Sequence, residues 1–280
     1  MSAVDFFKNT ENILLLQKNL PKSSNLKDLQ KAFDQSIQTQ TQNVSKAAVL
    51  FSGGIDSSLI ALAVSQKVKN TVLFCAGTSN SSVFARAHMA ANLLNLPLKF
   101  QTITKTDVDV FAVEVKKILG TDNFLQIQIA LAEFLAMRAV KISGFKTVFC
   151  GQGADELFAG YTEFRKVFDR GELAVQNLSW KKLENLWQDN LARDLALADY
   201  LNLDLRAPYL DPEFMKIAMA LPVAEKIHSS HDLLRKHALR SLGLSLGLPE
   251  LIALQPKKAI QYDSGVSKEL KKLNKKKKVK

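Results

Sequence analysis

The sequence predicts an α/β chain: an open parallel sheet, doubly wound by helices, with a mostly helical layer towards the C-terminus. Three observations predict it. Short apolar runs over 47–51, 71–75, 98–103 and 147–150 alternate with stretches of helical period, the pattern of repeated βαβ units. Only two residues part the first helical stretch from the second strand, so parallel pairing through the helix is expected. Two glycine-rich stretches, 52–58 and 151–155, each follow a predicted strand, and open sheets of this kind collect ligands beyond the carboxyl ends of their strands.

The first 25 residues hold one apolar cluster at 13–16, then Pro21 and Ser23-Ser24, and predict a short helix and a linker. From Leu26, the positions Leu26, Leu29, Ala32, Phe33 and Ile37 fall three or four apart, an amphipathic helix expected to pack on the coming sheet. The strand over 47–51 and a helix running to about Val68, with Leu59, Leu62 and Ala63 at helical spacing, form the first βα unit. A helix over 82–94 follows the second strand, Pro97 marks a break, and 98–103 alternates as a third strand. The next helix is expected to open at Asp107, capped by Asp107 or Thr106, with Val110, Val113 and Ile118 facing inward. A long apolar-rich helix over 126–143 ends at Gly144, a C-cap residue, ahead of the fourth strand. Beyond Tyr161 the strand signals fade. Leu183, Leu186, Trp187 and Leu191, then Phe214, Ile217, Ala218 and Leu221, then Leu233, Leu234, His237, Ala238 and Leu242 read as helices.

At 280 residues and 47% hydrophobic, the chain can bury one large core or two modest ones. No apolar run approaches the roughly 20 residues of a membrane span, and the polar start lacks the features of a signal peptide, so a soluble, cytoplasmic protein is expected. Cys75 and Cys150 both follow apolar runs and are expected buried and reduced. Of the formal charge of +11, residues 268–280 with eight Lys and one Glu carry +7. The remainder is too small for a basic recognition face, so neither nucleic acid nor a membrane is an expected partner, and the tail is expected to be a disordered extension. Of the four histidines, His228 and His231 lie three apart but without Cys or carboxylate company in the sequence, so no metal constellation is expected there.

The stretch Ser52-Gly53-Gly54-Ile55-Asp56-Ser57-Ser58 sits between a strand and a helix. Unpaired amides and the dipole at a helix N-terminus form an anion site, glycine lets a phosphate approach, and the serines add hydroxyl donors. Asp56 would repel phosphates unless a divalent cation bridges them, and Mg²⁺ is the usual partner. No Lys follows the glycines, so the G-x-x-x-x-G-K-[ST] phosphate loop does not fit. A plain Gly-Gly turn with a serine N-cap is the bland alternative. The second stretch, Gly151-Gln152-Gly153-Ala154-Asp155-Glu156-Leu157-Phe158-Ala159-Gly160-Tyr161, places two adjacent carboxylates at a helix start. One could bind a metal while the other caps or positions a substrate group.

Together with Leu205-Arg206-Ala207-Pro208-Tyr209-Leu210-Asp211 and Pro256-Lys257-Lys258-Ala259-Ile260-Gln261, these blocks resemble the synthetase domain of the asparagine synthetases, in the ATP pyrophosphatase superfamily. The likeness spans roughly residues 26–267, leaving 1–25 as an extension and 268–280 as the basic tail. The stretch Asp189-Asn190-Leu191-Ala192-Arg193-Asp194 is similar to eukaryotic asparagine synthetase domain-containing proteins. The resemblance implies a Rossmann-like, adenine nucleotide alpha hydrolase-like fold and ATP-dependent amide formation through an acyl-adenylate. It further implies that Ser52, Gly53, Gly54, Ser57 and Ser58, with Gly151 and Gly153, cradle the nucleotide phosphates. Asp56 and Asp155 match the Mg²⁺ carboxylates, and Lys257 matches the lysine that meets pyrophosphate. Arg206 and Asp211 are assigned mainly to structure, pairing or capping.

Two departures are visible. Residue 2 is Ser where glutamine-hydrolysing relatives expose a cysteine, and no glutaminase domain fits before residue 26, so ammonia, free or from a separate glutaminase, is the expected nitrogen source. Gln152 stands where family members carry Glu, and a neutral amide cannot act as a general base. Two other readings stay open: an ATP-binding regulatory module without amide synthesis, and an adenylating enzyme of tRNA modification.

Overall fold

The computed structural model describes residues 10–256 together with Phe7, Gly265 and Leu270. One wholly parallel sheet forms from β1 Lys46–Leu50, β2 Asn70–Gly77, β3 Leu98–Thr102, β4 Thr147–Phe149 and β5 Asp204–Arg206, in the spatial order β3-β2-β1-β4-β5. Ala47, Ala48 and Val49 of central β1 are all fully buried. Successive strand residues point to opposite faces, so both faces of the sheet are covered, as a doubly wound fold requires.

The first half alternates these strands with α1 Thr10–Lys18, α2 Leu26–Thr41, α3 Ile55–Lys67, α4 Ser82–Leu93, α5 Lys105–Leu119 and α6 Phe124–Ile142. The second half contains α7 Ala154–Leu157, α8 Thr162–Phe168, α9 Glu172–Leu186, a π-helical turn Trp187–Leu191, α10 Ala192–Tyr200, α11 Pro212–Ala220, α12 His237–Ser245 and α13 Glu250–Ala253. One continuous core runs through both halves. It takes in Ile13 and Leu16 of α1 and, near the C-terminus, Leu270.

Four expectations are corrected. A fifth strand, β5, follows the point where strand signals fade: it has three residues, two of them charged, with only Leu205 buried, too short for any period to register. Helix α2 packs mainly on α3, α11 and α12, with Phe33 against Tyr209 and Phe214 at ring-centroid distances of 5.7 and 5.8 Å, and so rests chiefly on other helices rather than on the sheet. Helix α5 is capped by Thr104, whose hydroxyl accepts the Asp107 N–H while Asp107 accepts the Thr104 N–H, a capping box. That moves the start forward and turns Val108, Ala112 and Val115 inward, leaving Val110 and Val113 exposed. Leu233 and Leu234 precede α12 instead of belonging to it, and Leu233 is exposed.

The strand order positions the site. From β1 the chain steps outward through β2 to β3, then crosses back to lay β4 on the other side of β1. The loops after β1 and β4 therefore open side by side where the order reverses, the crevice in which such sheets bind ligands.

Candidate active site

Residues 51–54 turn the chain from β1 into α3. Gly53 has φ +71°, and a Cβ there would lie 2.7 Å from the Arg86 carbonyl oxygen, so this left-handed position takes only glycine. Arg86 Nε donates to the Ser52 carbonyl at 2.9 Å. Inside the loop the Ser52 N–H donates to Ser57 Oγ at 3.2 Å, the two serine hydroxyls lie 3.3 Å apart, and Ser57 Oγ donates to the Gly54 carbonyl at 3.3 Å. Ser52, Asp56 and Ser57 line a cavity of about 690 Å³. Gly53 and Gly54 supply the backbone of the turn, and Ser58 is fully buried, its hydroxyl without a hydrogen-bond partner among the described residues.

Gly151 stands against this loop: a Cβ at 151 would lie 3.1 Å from Asp56 Cβ, so the missing side chain lets the two loops touch. Gly153 caps α7, whose first turn carries Asp155 and Glu156. Asp155 lines the same cavity as Asp56, with Gly151, Gln152 and Glu156. Tyr161 donates its hydroxyl to Glu156 at 2.5 Å. Burial, then the charges of Glu156 and Asp155, push that phenol well above its ordinary range.

Between the two carboxylates lies a residue the sequence reading passes over. Lys236 is fully buried, with its Nζ 2.6 and 2.7 Å from the Asp56 oxygens and 2.7 Å from Asp155 Oδ1. Burial works to lower its pKa, but the charges of Asp155 and Asp56 win and hold it above the ordinary lysine value. Arg235 lines the cavity next to it, and its buried Nε finds no acceptor among the described residues, an orphan donor suited to an anion. Both residues have positive φ, +52° and +55°. Arg240 holds this loop by donating to the carbonyls of Leu234 and Arg235 at 2.7 Å each and to that of Ala253.

The donor chemistry of Asp56 and Asp155 fits Mg²⁺: two carboxylates, 25% and 22% exposed, oxygen ligands of the kind the ion takes beside phosphates. Lys236 cancels one of their two charges, so the pair retains a net negative charge for a cation.

Another part of the cavity lining comes from α6, α10 and the π-helical turn. Arg193 Nε donates to Glu133 at 3.1 Å and to Asp194 at 2.9 Å, and Gln152 donates its amide N–H to Asp194. Glu133, Gln152, Asp189, Asn190, Arg193 and Asp194 all line the cavity. Burial drives the Glu133 carboxyl well above the usual carboxylate range; Arg193 opposes this and Asp194 adds to it. The π-helical turn places Asp189 and Asn190 there, a distortion that recurs at functional sites.

The block after β5 acts by packing. Tyr209, fully buried, donates its hydroxyl to the Asp56 carbonyl at 3.0 Å, and Asp211 caps α11 by accepting the Glu213 and Phe214 N–H groups. Arg206 pairs with Asp204 at 2.7 Å and with the Gln40 carbonyl. The expected capping role of Asp211 is present, while Arg206 pairs with Asp204 rather than with Asp211. Cys75 and Cys150 are buried and unbridged. Lys257 lies outside the described residues.

The histidine expectation is corrected in part, because Asp232 gives His228 and His237 carboxylate company. Their rings stack in parallel with centroids 3.5 Å apart. Asp232 accepts the N–H groups of His228, Leu234 and Arg235 and pairs with His237 Nε2 at 2.7 Å. Four partners fill the acceptor sites of a carboxylate, so the group clamps the loop that carries Lys236.

The asparagine synthase family profile matches residues 28–171 and 167–278. The chain belongs to the asparagine synthase family. A Methanocaldococcus jannaschii protein assigned by name as a glutamine-hydrolysing asparagine synthetase is 31% identical over 278 residues, covering 89% of this chain and 51% of that protein. The asparagine synthetase of Sandersonia aurantiaca is 29% identical over 204 residues, covering 69% and 38%. This chain thus spans about half the length, or less, of these relatives. Among solved structures, an NH3-dependent NAD synthetase from Campylobacter jejuni matches with a TM-score of 0.37 at 19% identity, covering 63% of this chain and 92% of that one. The cavity between the two loops is the candidate active site of this family member. Among the described residues, no helix is long and apolar enough to cross a membrane.

Proposed function

We propose that this chain is an AMP-forming amide ligase that activates aspartate, or a closely related carboxylate, with ATP and transfers the acyl group to ammonia. The observation that carries this reading is the convergence of Asp56, Asp155, Lys236 and Arg235 where the β1 and β4 loops meet. Attack of a carboxylate on the α-phosphate expels pyrophosphate, whose charge must be neutralised as it forms. Arg235 supplies fixed positive charge at the cavity, Lys236 behind it offsets one charge of the carboxylate pair, and the serines at 52 and 57 supply hydroxyl donors. In this reading Ser52, Gly53, Gly54, Ser57 and Ser58 shape the phosphate cradle, and Gly151 and Gly153 bring the second loop to it. Mg²⁺, held by Asp56 and Asp155, would neutralise the phosphates when bound, and Lys257 serves the same leaving group. In this reading the nitrogen enters the cavity as ammonia.

The test is AMP and pyrophosphate formation from ATP, Mg²⁺, aspartate and ammonium. Release should depend on both the carboxylate and ammonium, and Asp56→Ala should lower it by about 100-fold or more. Release indifferent to every carboxylate in a panel would overturn the reading. A second reading, an ATP-binding module without amide synthesis, is favoured by one observation, the neutral Gln152 committed to Asp194. Tight ATP binding with no turnover would select it.

A further inference from the structure

The cavity contains a carboxyl group with no part in the chemistry described so far. Glu133, on α6, lines the same cavity as the phosphate loop with its side chain 20% exposed, while its partner Asp194 is only 4% exposed. Arg193 bridges the two carboxyls, and Gln152 occupies the far oxygen of Asp194. Gln126 accepts from Arg193 Nη1 at 3.1 Å, and the Asp189 carbonyl accepts from the same nitrogen at 3.3 Å. One guanidinium thus serves two carboxyl groups, and of the two Glu133 is the more exposed to the cavity.

The geometry points to Glu133 as the proton acceptor for the nitrogen nucleophile, with Arg193 and Asp194 as its positioning residues, in place of the carboxylate that Gln152 does not provide. This inference rests on the proposed ligase reading and concerns its second half. There the nitrogen lone pair forms the C–N bond to the activated carbonyl, the C–O bond to AMP breaks, and AMP leaves with that electron pair. One N–H proton must depart, and a carboxylate at the cavity wall can take it.

The groups facing Glu133 agree with this role. From α10 come Arg193 and Asp194, with Arg193 held in turn by the Asp189 carbonyl and Gln126, and from the end of β4 the buried Cys150 thiol, whose own pKa burial pushes up. Among these Arg193 is the cation, and it is shared. A carboxyl so placed takes up a proton nearer neutrality than an exposed one, which suits a general base.

The experiment separates the two half-reactions. Carboxylate-dependent ATP–pyrophosphate exchange reads the first half without nitrogen, and amide formation reads both. In Glu133→Gln, exchange should persist while ammonium-dependent amide formation falls by about 100-fold or more. Hydroxylamine, a weaker base that is largely deprotonated near neutral pH, should restore much of the loss. Wild-type amide formation should decline on acidification before exchange does, a readout that needs no variant. If wild-type protein shows no exchange with any carboxylate, the ligase reading fails and this inference with it. Normal exchange and unchanged amide formation in Glu133→Gln overturn the inference alone. So does loss of both half-reactions together in a folded variant, or an acid limb common to both in the wild type.

Discussion

At the scale of single residues, Lys236 has the greatest consequence. A buried ammonium touching two carboxylates is stable only while all three charges are present, because the desolvation each suffers is offset by the others. Lys236→Ala should cost about 2–3 kcal/mol in urea unfolding, towards the low end for a broken buried pair, since the carboxylates keep 25% and 22% of their exposure. Added Mg²⁺ should then raise the melting temperature of Lys236→Ala more than that of the wild type. An equal response would show that the carboxylates do not share a cation site. Little of this was legible beforehand. Ser52, Asp56, Gly151 and Asp155 announce themselves by glycine and carboxylate patterns next to predicted strands, whereas Lys236 lies 180 residues from Asp56 in a run, Arg235-Lys236-His237, that reads as an exposed basic patch. Only tertiary packing brings it to the site. Glu133 was hidden for the opposite reason, as one polar position in an apolar-rich helix.

At the scale of elements, the loop from His228 to His237 is the piece to probe. Asp232 gathers four partners there, and although burial tends to raise its pKa, the Arg235 and His228 amides and the His237 ring lower it from 3.8 to about 2. A carboxylate depressed in the folded state adds stability above its unfolded pKa and loses it as pH falls through the folded one. The stability gap between wild type and Asp232→Asn should therefore be full above about pH 4 and close towards pH 2, measured by urea unfolding at a series of pH values. A gap that does not narrow would remove the carboxylate from the account. The other elements differ in legibility for physical reasons. Strands β1 to β4 were anticipated: β1 and β2 as apolar runs, β3 by alternation, and β4, though as short as β5, by the apolar run Val148-Phe149-Cys150. Strand β5 pairs with β4 through three residues, and helix α5 begins at a threonine whose capping partner is the very Asp107 taken as the start, so local pattern could not decide either.

At the scale of the molecule, the segment ahead of residue 26 belongs to the body of the protein. Ile13 and Leu16 of α1 are buried in the main core, and α1 rests against α9 and α11. Leu16→Ala should lower unfolding free energy by about 2–5 kcal/mol, the range for emptying a buried leucine site; a loss below about 0.5 kcal/mol, as at an exposed position, would mean that α1 is ornamental. The same reach across the fold appears at Arg240. Its guanidinium holds the carbonyls of Leu234 and Arg235, just before the lysine that joins the two carboxylates, and the carbonyl of Ala253, four residues before Lys257. One side chain thus pins two stretches of chain to each other, the loop whose lysine joins Asp56 to Asp155 and the end of the helix at Ala253.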